Sequence, residues 1–70
     1  MAEIIEKKES NSGKTVGIIE KSDNKFIGTV TYDDNAGDKD EDTQEFATLE
    51  DAQGWLELTF MFMMGVHADT

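Results

Sequence analysis

"KTVGIIEKSDNKFIGTVTYD", residues 14–33, decides the fold. Its first half is rich in β-branched residues and runs into Ser22-Asp23-Asn24, whose short polar side chains bond to the nearby backbone and favour a turn. Its second half alternates, with Phe26, Gly28, Val30 and Tyr32 on one side and Ile27, Thr29 and Thr31 on the other. Two such runs about a turn predict an antiparallel hairpin. Gly17 and Gly28 fall inside the two strands, where glycine weakens pairing unless it marks a bulge or the close approach of another element. Both are expected to leave room for a helix packing across the sheet.

That helix is expected from "TLEDAQGWLELTF", which begins at Thr48. The Thr48 hydroxyl can accept the backbone N–H of Asp51, and the carboxylates of Glu50 and Asp51 favour the positive end of the helix dipole. Leu49, Ala52, Leu56, Thr59, Phe60 and Met63 then fall on one stripe, widened by Trp55, which suits packing on a sheet. Gly65 supplies a left-handed stop, so the helix is expected over about 48–64. "TQEFA" at 43–47 predicts a strand pairing with 25–32, which makes the acidic stretch before it a long hairpin loop. Upstream, "EIIEKKE" at 3–9 shares Ile-Ile-Glu-Lys with "GIIEKSD" at 17–23, and residues 1–12 are expected to be either disordered or an edge strand. The expected architecture is α+β, a single small domain over 1–70. It has an antiparallel sheet of three to four strands with one C-terminal helix packed on one face.

Seventy residues at 37% apolar content enclose one core, not two. Cysteine is absent, which excludes disulfides, and a single His67 without thiolates removes the usual zinc arrangements. No metal or cofactor is expected. The amino terminus has no run of signal-peptide character, and "LTFMFMMGV" at 58–66 is about half the roughly 20 residues of a membrane-spanning helix. A soluble, cytoplasmic protein is expected.

Charge is the most informative property. The net charge is −10, yet residues 1–32 carry five acids against five lysines, so the imbalance lies in 33–70, with eleven acids against Lys39. A chain of this sign repels phosphate, which disfavours nucleic acid and anionic membranes and favours basic protein surfaces. The densest segment is "DDNAGDKDED" at 33–42. A calcium loop requires oxygen ligands at positions one, three and five, glycine at six and glutamate at twelve. With Gly37 sixth, Tyr32 falls first, Ala36 fifth and Thr43 twelfth, so the register fails. Gly13-Lys14-Thr15 resembles the tail of a phosphate-binding loop, but Lys8 stands where its first glycine belongs.

Catalysis is not expected either. Nucleophilic mechanisms need a base beside the nucleophile, and the one histidine, His67, lies three residues from a terminus expected to fray. Acids in a hydrophilic loop lack the enclosed pocket that raises a carboxyl pKa for general acid work. What remains is protein binding. Asp33, Asp34, Asp38, Asp40, Glu41, Asp42, Glu45, Glu50 and Glu57 are the candidate acidic surface, suited to a groove whose lysines and arginines normally hold phosphates. Leu58 and Met61 fall off the buried stripe and Phe62 lies at its edge, which makes these three a candidate dimer contact unless residues 1–12 fold over them.

Two strings also resemble a known family. "DNKFIGTV" at 23–30, followed after a loop by "ATLEDA" at 47–52, is similar to the core of the small RNA polymerase inhibitor of T7-like phages. In that family a strand opening on Asp-Asn-Lys precedes a helix opening on Thr-Leu-Asp-Glu-Ala. The family relies on arginines in a strand after its helix, and this chain has no arginine. The resemblance therefore bears on a class, a phage-encoded inhibitor, and not on the identity of the target. The expected function is a non-enzymatic, acidic inhibitor that occupies the basic nucleic-acid-binding surface of a host enzyme by phosphate mimicry. The alternative is a homodimeric structural or adaptor protein in which the acidic loop serves solubility.

Overall fold

Ser22 pairs with Lys25 across the turn residues Asp23 and Asn24, and from this hairpin the rest of the sheet grows. The computed structural model describes residues 2–69; Met1 and Thr70 lie outside the described residues. The elements in order are β1 (Glu3–Glu9), β2 (Thr15–Ser22), β3 (Lys25–Asp33), β4 (Lys39–Phe46) and α1 (Leu49–Val66). The strands form one antiparallel sheet in the order β1-β2-β3-β4, so β1 and β4 are its edges. The chain is α+β, a four-stranded antiparallel sheet with one C-terminal helix on one face.

Register sorts the side chains. Thr15, Gly17 and Ile19 of β2 pair with Tyr32, Val30 and Gly28 of β3, and this row faces the helix. Ile19, Val30 and Tyr32 form the core with Ala52, Leu56, Phe60 and Met63, members of the i, i+4 stripe legible in the sequence. Gly17 and Gly28 do make room for the helix. A Cβ at Gly17 would stand 2.8 Å from Leu56 Cδ1, and one at Gly28 would stand 2.6 Å from Trp55 Cζ3.

Two boundaries differ from expectation. The acidic stretch is not a long loop, because β4 starts at Lys39 and Tyr32↔Asp40, Thr31↔Glu41 and Val30↔Asp42 are paired positions. Pairing with β3 outweighs the low strand propensity of Asp, and an edge strand lets both rows of carboxylates reach water. The turn shrinks to 34–38, closed by side chains on backbone. Asp33 Oδ1 accepts Asn35 N–H at 2.8 Å, and Asp34 Oδ1 accepts those of Ala36 and Asp38 at 2.7 and 3.0 Å. Asn35 (φ 60°) and Gly37 (φ 102°) take the left-handed positions.

The helix also runs past Gly65 to Val66, and the left-handed residue is Ala68 (φ 51°). Its end is set by tertiary contacts of His67 and Asp69 in place of glycine. Its start is as expected: Thr48 is the N-cap, and its hydroxyl accepts Asp51 N–H at 3.2 Å.

Candidate functional site

Strand alternation divides the acids of β4 between two faces. Asp40 and Asp42 pair with Tyr32 and Val30 and so share the helix side with Gln44, while Glu41 and Glu45 pair with Thr31 and Ile27 on the opposite side. Because α1 lies chiefly over β2 and β3, the helix-side row of β4 stays uncovered, and Asp40, Asp42 and Gln44 are exposed. Asp33, Asp34 and Asp38 gather at the same corner of the sheet. An open depression of about 430 Å³ lies there, lined by Thr31, Tyr32, Asp33, Lys39, Asp40 and Glu41.

Several of these carboxylates are already engaged. Asp34 is held below the ordinary carboxylate range by the backbone N–H groups of Ala36 and then Asp38. Glu45 lies 3.4 Å from Lys25 Nζ. Asp38 Oδ2 is 3.4 Å from His67 Nδ1, and Asp40 Oδ2 is 3.2 Å from His67 Nε2. A neutral imidazole has one N–H, so His67 donates to both acids only when both nitrogens carry protons. Glu41, Asp42, Glu50 and Glu57 have no ion-pair partner among the described residues.

His67 is therefore no frayed end. Its ring stacks on Tyr32 with centroids 3.9 Å apart and planes 4° from parallel. Burial, followed by the carboxylates of Asp34, Asp38, Asp69 and Asp33, raises the Tyr32 phenol above its ordinary range. Beside it, Asp69 accepts from Ser10 Oγ at 2.7 Å, from Thr15 Oγ1 at 2.5 Å and from Ser12 Oγ. These three hydroxyls, Ser12 first, lower the Asp69 pKa to about 2. The clamp fastens the end of the chain to the β1–β2 turn. Sequence reasoning missed it, since partners 54 to 59 residues apart leave no local pattern.

The helix separates the remaining candidates. Gln53 Nε2 donates to Glu6 of β1 at 3.0 Å, while Trp55 packs on Phe46 of β4 with ring centroids 5.7 Å apart. Glu50 and Glu57 lie three before and four after Gln53, so they occupy the β1 flank, away from the acids of β4. Phe62 and Val66 follow Trp55 by seven and eleven residues and so occupy the β4 flank, while Leu58 and Met61 stand to either side of the crest, Leu58 toward β4. All four are exposed, at 69%, 58%, 73% and 68% respectively. The N-terminal segment does not cover them, because β1 pairs with β2 at the far edge of the sheet.

No protein-family model, curated protein or solved structure matches this chain. Its chemistry has to be read from the geometry. No group of three or more His, Asp or Glu among the described residues is placed to hold a metal ion. No described helix is long and apolar enough to cross a membrane. The arrangement can do two things: present negative charge along one sheet edge, and present apolar surface along the adjoining helix flank.

Proposed function

We propose that this chain is a non-enzymatic, acidic protein-binding module, a phage-encoded inhibitor that occupies the basic nucleic-acid-binding surface of a host enzyme. The observation that carries the reading is edge strand β4, where Asp40, Glu41 and Asp42 are consecutive and exposed. Side chains alternate faces along a strand, so Asp40 and Asp42 share one face at a spacing of about 6.6 Å, roughly twice the 3.4 Å per phosphate of one DNA strand, with Glu41 on the other face. A lysine- or arginine-lined groove that holds phosphates meets charge of the same sign on this edge, at a lower linear density. Support for a non-catalytic role comes from the carboxyl groups with displaced pKa values, Asp34 and Asp69, both of which move downward, whereas a general acid needs an upward shift. The resemblance of residues 23–30 and 47–52 to phage polymerase inhibitors adds the phage origin.

The test is capture from bacterial lysate at low and high salt, followed by competition with duplex DNA for the captured protein. Substituting Asp38, Asp40, Glu41 and Asp42 with Asn or Gln is expected to abolish capture. Capture retained by that variant at low salt sinks the reading. A second reading, a homodimeric structural or adaptor protein in a cellular or phage host, draws on the exposure of Leu58, Met61 and Phe62. Under it, Phe62→Asp converts a dimer to a monomer by light scattering, and an unchanged mass rules that contact out.

A further inference from the structure

The surface between α1 and edge strand β4, here called the trough, has two sides that differ in kind. The helix wall is apolar: Phe62 and Val66 line it, and Leu58, four residues before Phe62, rises from it to the crest of the helix. The strand wall is polar, built from Asp40, Asp42 and Gln44, with Asp42 free of any ion pair among the described residues. The walls run alongside each other because α1 follows β4 through the short connection at Ala47 and Thr48 and returns antiparallel to it. His67, near the helix end, accordingly meets Asp40, near the strand start. From position 58 to 66 the helix advances about 12 Å at 1.5 Å per residue. From 40 to 44 the strand advances about 13 Å at 3.3 Å per residue. The walls therefore match in length, at a little over two helical turns.

We infer that this trough is a docking site for a basic amphipathic helix of the partner, one that lays apolar side chains at i, i+4 spacing on Leu58, Phe62 and Val66 and places Lys or Arg against Asp42 and Asp40. The inference deepens the reading of the chain as a binder of basic proteins and rests on it. Charge complementarity selects the occupant. Helices pack by setting one apolar stripe against another, so an exposed stripe at helical spacing suits a second amphipathic helix. A second copy of this chain, at net charge −10, would bring its own acids to the same trough. Specific protein–protein interfaces bury about 800 Å² per partner and obligate homodimers more, so a two-fold contact centred on three or four side chains would extend over like-charged surroundings. A lysine-bearing helix turns the same surroundings into attraction, with the apolar wall fixing register and the acidic wall fixing orientation and speeding encounter.

The experiment uses three synthetic peptides of roughly 15–18 residues, long enough to hold helix on binding. One has a Leu face flanked by Lys, one the same Lys with Ser for Leu, and one the same Leu with Gln for Lys. Each is titrated into the isotopically labelled full chain near physiological salt, with the mass of the chain alone measured in parallel. The Leu/Lys peptide is expected to bind at least about tenfold tighter than either control, to shift the amides of Leu58, Phe62, Val66 and Asp42, and to lose at least about tenfold on Phe62→Ser. Phe62 is exposed, so that variant keeps its fold, which its own amide spectrum checks. Equal binding of the Leu/Lys and Lys/Ser peptides, or no effect of Phe62→Ser, overturns the trough and leaves the acidic edge standing. Failure of both lysine peptides overturns the trough and the acidic-edge reading together. A dimer of the chain alone that Phe62→Ser dissociates assigns the stripe to a second copy and also overturns the inference.

Discussion

Alanine at Gly17 or Gly28 tests the helix-on-sheet contact on which every surface described above depends. At Gly17 the new Cβ would stand 2.8 Å from Leu56 Cδ1 and 3.3 Å from Phe60 Cδ1. Carbon pairs prefer about 3.5–4.0 Å, so Leu56 has to retreat by roughly 0.7–1.2 Å. It cannot do so freely, because it is fully buried beneath the helix. Overpacking of this kind costs about 1–3 kcal/mol, offset by about 0.5–1 kcal/mol because alanine loses less backbone entropy than glycine in a strand. The expected net loss is about 1 kcal/mol, with an upper bound of about 2.5 kcal/mol, a large share of the roughly 3–5 kcal/mol that a domain of this size keeps. With a urea slope near 1 kcal/mol/M, the midpoint falls by about 1 M.

Gly28→Ala meets a different neighbour, Trp55, at 2.6 and 2.7 Å from Cζ3 and Cε3. Trp55 is only half-buried and can swing toward water, so this variant is expected to lose the Phe46 contact and shift Trp55 emission to the red. Trp55 is the one tryptophan in the chain, which makes the assignment unambiguous. Gly54 supplies the opposite sign. It lies inside α1 with open space for 4 Å around the place a Cβ would take, and Gly54→Ala is expected to stabilise by about 0.5–1 kcal/mol. Urea titrations followed by emission and by circular dichroism read all three. Gly17→Ala at or above the stability of the parent chain would refute the packing argument.

Two further outcomes follow from the chain end. Asp69 titrates near 2 in the folded protein against about 3.9 when unperturbed, so its clamp contributes stability above pH 4 and loses it as pH falls from about 4 through about 2. Asp34 is lowered as well and changes in the same sense, so the informative quantity is the urea-midpoint difference between the parent and Asp69→Asn. That difference is expected to shrink through this window, and a constant difference from pH 6 to pH 2 would leave the clamp without a stabilising role. His67→Phe keeps the stack on Tyr32 and deletes the bonds to Asp38 and Asp40. It is expected to cost about 0.5 kcal/mol, given the exposure of both acids, and to speed hydrogen exchange at Asp34 N–H, which bonds Asp38 C=O at 3.2 Å; unchanged exchange contradicts the bracing role.

What the sequence made legible was local. The 23–24 turn, the Thr48 cap, the buried helical stripe and the two strand glycines each depend on residues within a few positions, or on a missing side chain that a bulge or a crossing element explains. The strand character of 39–42 was hidden because Asp and Glu carry little intrinsic preference for strand, and only pairing with β3 holds them there. The turn signals were nonetheless present, since Asp33, Asp34, Asn35 and Gly37 are the residues that close the 34–38 turn. His67 was misread by position: closeness to the end of the chain predicts fraying only where nothing captures the side chain, and here Asp69 is captured as well. The acidic surface was legible as a set of residues but not as a place. It took the helix to put Glu50 and Glu57 on one flank and the acids of β4 beyond the other.

The two sheet edges bear on why those acids are there. An exposed edge strand needs charge to resist pairing with other chains, and both edges have it. In β1, however, three acids stand with two lysines, whereas in β4 four acids stand with Lys39 alone. Mixed signs suffice for protection, as β1 illustrates, and they avoid self-repulsion. A run of one sign costs roughly a few tenths of a kcal/mol per neighbouring pair even in water, and His67 hydrogen-bonds Asp40 but neither Glu41 nor Asp42. Edge protection alone thus accounts for charge on β4 but not for its excess of acid, nor for an apolar helix flank left open beside it. The basic, amphipathic partner proposed above accounts for both.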